Sequence, residues 1–298
     1  REKMRKIVRK HYYTNTELAD AAGNISLDDV NEFGSKLLKK GYIQGLVYGN
    51  VTEEQARQNT KLLISQLKIK AEKWNKVTHQ GRLEFVEGED IIQVVRSEVN
   101  NSCFSRLQYF GNNSIDEDAQ SRVIGTYVES PFFLEMRTNR QLGYIVWGGA
   151  RSTKKSSFFI FIIQSGDYAA ENLSKQANEY TITLPDSLKQ LPDEEYLVIK
   201  NAVIEKIKEK PTSIAEKAGK YYTMAFDYDG NFDRDNQLIL AVEDLSKEKS
   251  IEVLTKVLGA DTREMATILL YAKEHELDEN IKSSINDIIQ WKNTRIYQ

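Results

Sequence analysis

Apolar and polar positions recur along this chain with two different periods, and the switches between them mark out its elements. Residues 1 to 21 repeat apolar side chains at helical spacing. Residues 27 to 40 do so again, with Val30, Phe33, Leu37 and Leu38 on one face and Ser26 placed as N-cap. The run "YIQGLVYGN" from Tyr42 reads as a strand ended by Gly49-Asn50, and Thr52 with Gln55 makes a capping box for a helix reaching Ala71. The polar segment "NKVTHQGRLEFVEGED" interrupts the periodicity and reads as a linker. After it, "IIQVVRSEV" and "SCFSRLQYFG" are expected to pair as a hairpin across Asn100-Asn101.

A helix from Asp116 carries Val123, Ile124, Tyr127 and Val128. Pro131 fits the first position of a short helical continuation, and Gly143 a left-handed C-terminal position. A second hairpin joins "YIVWGGA" to "SSFFIFIIQS" through the turn "RSTKKS"; the stripe "FFIFII" is too apolar for an exposed edge and predicts an interior strand. Helices are expected over residues 170–183, 193–209 and 213–227, the last two after Pro192 and Pro211. Ser246 caps another that closes at Gly259, "ATILLYA" from Ala266 is a strand, and a final helix is expected near Asp278. Interleaved helices and hairpins point to an α+β layered fold with a mostly antiparallel sheet. The order helix, strand, helix recurs at both ends, either by chance or as an internal repeat of about 220 residues, the scale of whole domains. A true repeat makes residues 1–80 the tail of one unit and residues 91–298 a complete second one.

Composition narrows the chemistry. A chain of 298 residues with 40% hydrophobic content can bury a good core and is long enough for two domains. With a net charge of -3 and Lys and Arg spread throughout, no basic patch points to nucleic acid, and no apolar run approaches the roughly 20 residues that span a bilayer. The single cysteine, Cys103, excludes an internal disulfide and every multi-Cys zinc site, and it reads as a small core residue of an alternating strand. None of the three histidines, His11, His79 and His275, has a second His at metal-binding helical spacing, so no independent zinc site is visible. There is no G-x-S-x-G elbow and no glycine-rich phosphate loop. "REKMRKIVRKHYY" is too charged for a signal-peptide core, and the compartment is not legible. On its own residues the chain is catalytically incomplete.

One stretch, "PFFLEMRTNRQLGYIVWGG", sets Arg137 and Tyr144 seven positions apart across a Gly. "RTNRQLGYIV" resembles the Arg-Thr-x-x-Gln-Leu-Gly-Tyr signature of the C-terminal half of the pitrilysin and insulinase family of zinc metallopeptidases. "RSEVNNSCF", "FFIFIIQS" and "NFDRDN" are similar to further blocks of its insulysin branch, in the same order, and "LVYGNVT" resembles the end of the preceding homologous domain. The resemblance implies domains of the mitochondrial-processing-peptidase/LuxS-like metallohydrolase type, four to a protein, in two halves closing around a chamber. It implies zinc held in the N-terminal half by an inverted H-x-x-E-H motif, which is absent here. The chain is then expected to supply the C-terminal part of the third domain (1–80), a linker (81–90) and the fourth domain (91–298), with no cofactor of its own. Its partners would be the N-terminal catalytic half of the same polypeptide and peptide substrates.

For the site, the resemblance implies that Arg137 and Tyr144 hold the substrate backbone and scissile carbonyl, with Gln141 a further substrate-binding candidate or a turn hydrogen bond. Read without it, Arg137 suits a last helical turn by the helix dipole and Tyr144 suits strand packing. Asn231, Asp233, Arg234 and Asp235 suit an N-cap with local ion pairs, and Phe132, Phe133 and Trp147 suit core or chamber wall. The expected function is half of a zinc-dependent metalloendopeptidase that degrades peptides, inactive as this chain alone. A noncatalytic peptide-binding or scaffold member of the same fold is the alternative, and an unrelated α+β interaction domain a third reading. A truncated first unit would also expose an apolar face and a strand edge at Tyr42 to Tyr48, favouring self-association.

Overall fold

The longest apolar runs of the chain are its strands, and among the described residues they pair into one five-stranded sheet. The spatial order is β3 (Asp90–Arg96), β7 (Met265–Tyr271), β4 (Ser102–Gly111), β6 (Ser157–Ser165) and β5 (Ile145–Ser152). This is a computed structural model, and it describes residues 1–37, 39–73, 80–153 and 156–298. Leu38, His79, the start of the linker at Asn75 and the turn residues Lys154 and Lys155, all named above, lie outside the described residues.

β3 runs parallel to β7, and the other neighbours are antiparallel. β6, the "FFIFII" strand, is interior, as its two apolar faces require. The hairpin expected across Asn100-Asn101 does not form, because β7 lies between β3 and β4. The "ATILLY" run is buried along nearly its whole length and takes the position that buries it on both sides. Residues 97–101 then have to cross one strand, a span of roughly 10 Å that five extended residues cover.

One face of the sheet carries the helices. α5 (Ile115–Phe133) starts at a capping box in which Ser114 and Glu117 satisfy each other's backbone N–H groups. It lies close against β5, since a Cβ on Gly125 would meet Ala150 Cβ at 2.5 Å. Beside it pack α6 (Ala170–Thr181), α7 (Leu184–Gln190), α8 (Asp193–Lys208), α10 (Arg234–Asp244) and α11 (Lys247–Leu258), burying Phe104, Val123, Phe132, Phe161, Leu173 and Leu254 in a common core. The other face is covered by α1 (Glu2–Val8) and α12 (Ile288–Asn293) over Ile91, Leu107, Phe158 and Ile268. The architecture is therefore α+β, layered, with a mostly antiparallel sheet.

Three expected helices differ. Residues 1–21 break into α1 and α2 (Asn15–Ala22), because Arg9 turns extended to bridge Arg82 and Thr14 with Glu17 builds a new capping box. The helix does not restart at Pro131, which sits inside α5. No helix forms at Asp278: that carboxylate caps a local turn through Asn280, and Ser283 and Ser284 are bound to the outer edge of β3, where Ser284 N–H donates to the Ile92 carbonyl at 2.6 Å. The open edge of β3 is thus occupied.

The chain separates into two compact units, residues 1–10, 82–209 and 233–298 in one, and 11–81 with 210–232 in the other. The second contains α2, α3 (Leu27–Leu37), α4 (Glu53–Leu67), α9 (Ile214–Phe226) and a short parallel pairing of β1 (Lys40–Gly41) with β2 (Lys70–Ala71). Thr52 and Gln55 cap α4 reciprocally, and Lys68 in the left-handed region ends it before Ala71. The strand expected from Tyr42 is irregular, since no described strand pairs with residues 42–48. Val30, Phe33 and Leu37 on α3 and Leu62, Leu63 and Ile64 on α4 are exposed, so the helical periodicity here marks a face with no core against it within this unit.

Candidate functional site

The site is made by the way α5 ends. Beyond Pro131 the helix widens into a π-helical turn, Leu134–Asn139, in which Arg140 N–H donates to the Glu135 carbonyl and Leu142 N–H to that of Met136, each at 2.9 Å. Met136 and Leu142 are buried and pin the turn to the core. Arg140 locks it from outside, donating to Glu135 at 2.7 Å and to Gln176 Oε1 at 2.5 Å. That guanidinium, with Asn139, holds the Glu135 carboxyl below its ordinary range.

The chain then reverses into β5 through two special positions. Gln141 takes the left-handed conformation (φ 52°), the place expected of Gly143. Gly143 is needed for a different reason. A Cβ there would lie 2.8 Å from the Gln164 carbonyl carbon and closer still to its oxygen, so only glycine lets the strand start against β6.

This geometry brings the two signature side chains together. Arg137 Nη1 donates to the Tyr144 carbonyl at 2.6 Å, and its guanidinium carbon lies 4.9 Å from the Tyr144 ring centroid and 5.3 Å from that of Phe133. Tyr144 is 81% exposed, and its phenol has no partner among the described residues. One rigid cation and one O–H donor therefore stand side by side at the surface of their unit, both suited to donating hydrogen bonds to a carbonyl or an oxyanion. Gln141 is exposed at the turn, where its backbone conformation is its visible contribution.

Next to the pair is a cleft of about 600 Å³ whose walls include Glu129, Phe133, Leu134, Glu135, Trp147 and Tyr180. Trp147 Nε1 donates to Glu129 Oε1 at 3.1 Å, and burial pushes the Tyr180 phenol up. Phe132 is fully buried, whereas Phe133 is partly exposed between cleft and guanidinium. Pattern reading missed the cleft because its walls come from α5, the π-turn, β5 and α6.

The other candidates are structural. Asp233 is the N-cap position of α10, and Asn236 binds its carboxylate at 2.6 Å, but the ion pair of Arg234 is not local. Arg234 Nη2 donates at 2.9 Å to Asp118, a fully buried carboxylate that also accepts from Arg122 Nε at 3.0 Å and Ser152 Oγ at 3.0 Å. The Asp118, Arg122 spacing was the available signal for this hub. Cys103 is half-buried in β4, and burial pushes its thiol up, away from nucleophile behaviour. His275 Nδ1 shares a hydrogen bond with Ser102 Oγ at 2.8 Å. Among the described residues no three His, Cys, Asp or Glu side chains are grouped to hold a metal.

Known proteins resemble this chain over most of its length. A family profile described as PQQ synthase PqqF-like, C-terminal lobe domain 4, matches residues 123–222. Human insulin-degrading enzyme is 24% identical over 89% of this chain and 26% of its own length. A nardilysin-like protein of Arabidopsis thaliana is 23% identical over 96% of this chain and 29% of its own length. The chain thus spans about a quarter of the length of the curated relatives it matches. Among solved structures, pitrilysin superposes with a TM-score of 0.79 at 20% identity, covering 96% of this chain and 31% of that one. A Pseudomonas fluorescens peptidase M16 inactive domain gives 0.59 at 17% identity, covering 85% of this chain and 60% of that one. Lobe-domain match, sequence relatives and fold agree in making the chain similar to the C-terminal half of pitrilysin/insulinase family proteins.

Proposed function

We propose that this chain forms the chamber-lining C-terminal half of a zinc-dependent metalloendopeptidase, and that Arg137 and Tyr144 hold the peptide at the scissile bond. The observation that carries this is the pairing itself: a guanidinium fixed by the Tyr144 carbonyl at 2.6 Å, beside an 81% exposed phenol with no partner among the described residues. Relatives named insulin-degrading enzyme, Protease 3 and putative zinc protease support the reaction class. In this reading residues 1–80 close a third homologous domain, 81–90 link it, and 91–298 are the fourth.

The metal's chemistry, activation of a water, belongs to the N-terminal half of the same polypeptide. What this chain contributes is positioning and charge. The Arg137 fork binds peptide carbonyls and braces Tyr144, and the Tyr144 O–H donates to the carbonyl oxygen as negative charge develops on it. Gln141 shapes the turn that presents both. The exposed apolar faces of α3 and α4 make self-association of the isolated chain an expected behaviour.

The test compares the full-length parent with this chain alone, in fluorogenic-peptide hydrolysis and in zinc content. Chelator-sensitive hydrolysis by the parent, with neither hydrolysis nor stoichiometric zinc in the isolated chain, is the expected result. A parent that binds peptides without cleaving them would instead make the chain part of a noncatalytic binding protein, as the inactive-domain neighbour suggests by fold. One zinc per isolated chain would refute the division of labour.

A further inference from the structure

The cleft beside Arg137 has walls and charges that select one kind of occupant. Phe133, Leu134, Trp147 and Tyr180 supply apolar and aromatic surface, and its size falls within the roughly 300–1,000 Å³ of small-ligand sites. Two of its side chains are carboxylates, Glu129 and Glu135. Glu135 is matched by Arg140, whereas Glu129 meets only the Trp147 indole N–H among the described residues. Of the other cations nearby, Arg151 stacks over the Trp147 ring with its guanidinium carbon 4.8 Å from the centroid and Arg137 donates to the Tyr144 carbonyl, and neither pairs with Glu129 among the described residues. Phe133 forms part of the cleft and also lies under the Arg137 guanidinium, so a peptide held at Tyr144 has the cleft one side chain away.

We propose that this cleft receives a basic side chain, Lys or Arg, from the peptide whose backbone the Arg137 and Tyr144 pair holds. The inference rests on the reading of that pair given above. An apolar side chain would fill the walls but strip water from the Glu129 carboxylate without replacing it, and an acidic one would be repelled. A basic side chain lays its methylene stem along Phe133 and Leu134 and brings its charge to Glu129 and the aromatic faces.

The experiment uses the full-length parent and pairs of fluorogenic peptides that differ only in Lys against norleucine, scanned through the positions flanking the cleaved bond. At one position the Lys peptide is expected to show a kcat/KM on the order of tenfold higher, a size in keeping with one partly desolvated charge contact. Glu129→Gln, which keeps an acceptor for Trp147, should bring that ratio to near one by slowing the Lys peptide and by relieving the norleucine peptide of the carboxylate's desolvation cost. Equal cleavage at every scanned position, or a Lys preference that survives Glu129→Gln, would overturn the proposal. Tyr144→Phe should slow both peptides alike; if it slows neither while Glu129→Gln still abolishes the preference, the cleft stands and the reading of the pair fails. If the parent cleaves neither peptide, their binding decides by the same ratio.

Discussion

Replacing Gly143 by Ala tests whether the start of β5 is what holds the site in place. The added methyl would stand 2.8 Å from the Gln164 carbonyl carbon and 3.4 Å from Ser165 Cα, and both neighbours are backbone of β6, which cannot rotate away. Restoring ordinary contact with the Gln164 oxygen, the nearest atom, needs the two strands to separate by on the order of 1–1.5 Å, at the upper end of the about 1–3 kcal/mol that overpacking costs. The displaced segment is the one that carries Tyr144, and its carbonyl is the acceptor for Arg137. A misplacement of about 1 Å can lower turnover by on the order of 10²-fold. Urea unfolding and peptide hydrolysis by the parent enzyme measure the two effects separately. Gly219, inside α9 with nothing within 4 Å of its would-be Cβ, is the control: Gly219→Ala should stabilise by about 1 kcal/mol and leave hydrolysis unchanged. Wild-type stability and turnover in Gly143→Ala would refute the steric argument.

Two further outcomes follow from charges. Asp118→Ala leaves Arg234 buried without its carboxylate and should cost about 3–5 kcal/mol in urea unfolding, with Asp118→Asn intermediate; a loss under 1 kcal/mol would mean the hub is not what joins α5 to α10. Glu264 is shifted upward, by burial first and then by Glu87 and Glu89, so the folded protein holds its proton more tightly than the unfolded chain. Stability from this group is complete below the ordinary carboxylate range and is lost as pH rises through the raised value. Glu264→Gln should therefore raise the unfolding midpoint near neutral pH and not in acid; an equal effect at both would contradict this.

The features legible in the sequence were local ones. Thr52 with Gln55 writes its capping box within four residues, and "FFIFII" announces an interior strand by composition alone. The Thr14 and Glu17 box was equally available and would have split the first helix correctly. What pattern could not reach depends on distant partners. β7 enters between β3 and β4 from more than 150 residues away, since Gln108 faces Met265. Asp118 finds Arg234 across 116 positions. Residues 42–48 have the composition of a strand, but a strand exists only where another supplies its hydrogen bonds, and none does here among the described residues. At the site, the motif identified Arg137 and Tyr144, while the reason they meet, a π-turn pinned by Met136 and Leu142 and a glycine pressed on β6, is visible only in three dimensions.

The central claim is that the Tyr144 oxygen acts in catalysis and not in packing. Its 81% exposure makes Tyr144→Phe structurally neutral, so the change removes one donor and little else. In the full-length parent, chelator-sensitive peptide hydrolysis should fall on the order of 10²-fold or more in kcat with the unfolding midpoint unchanged. Undiminished kcat in Tyr144→Phe would contradict the account.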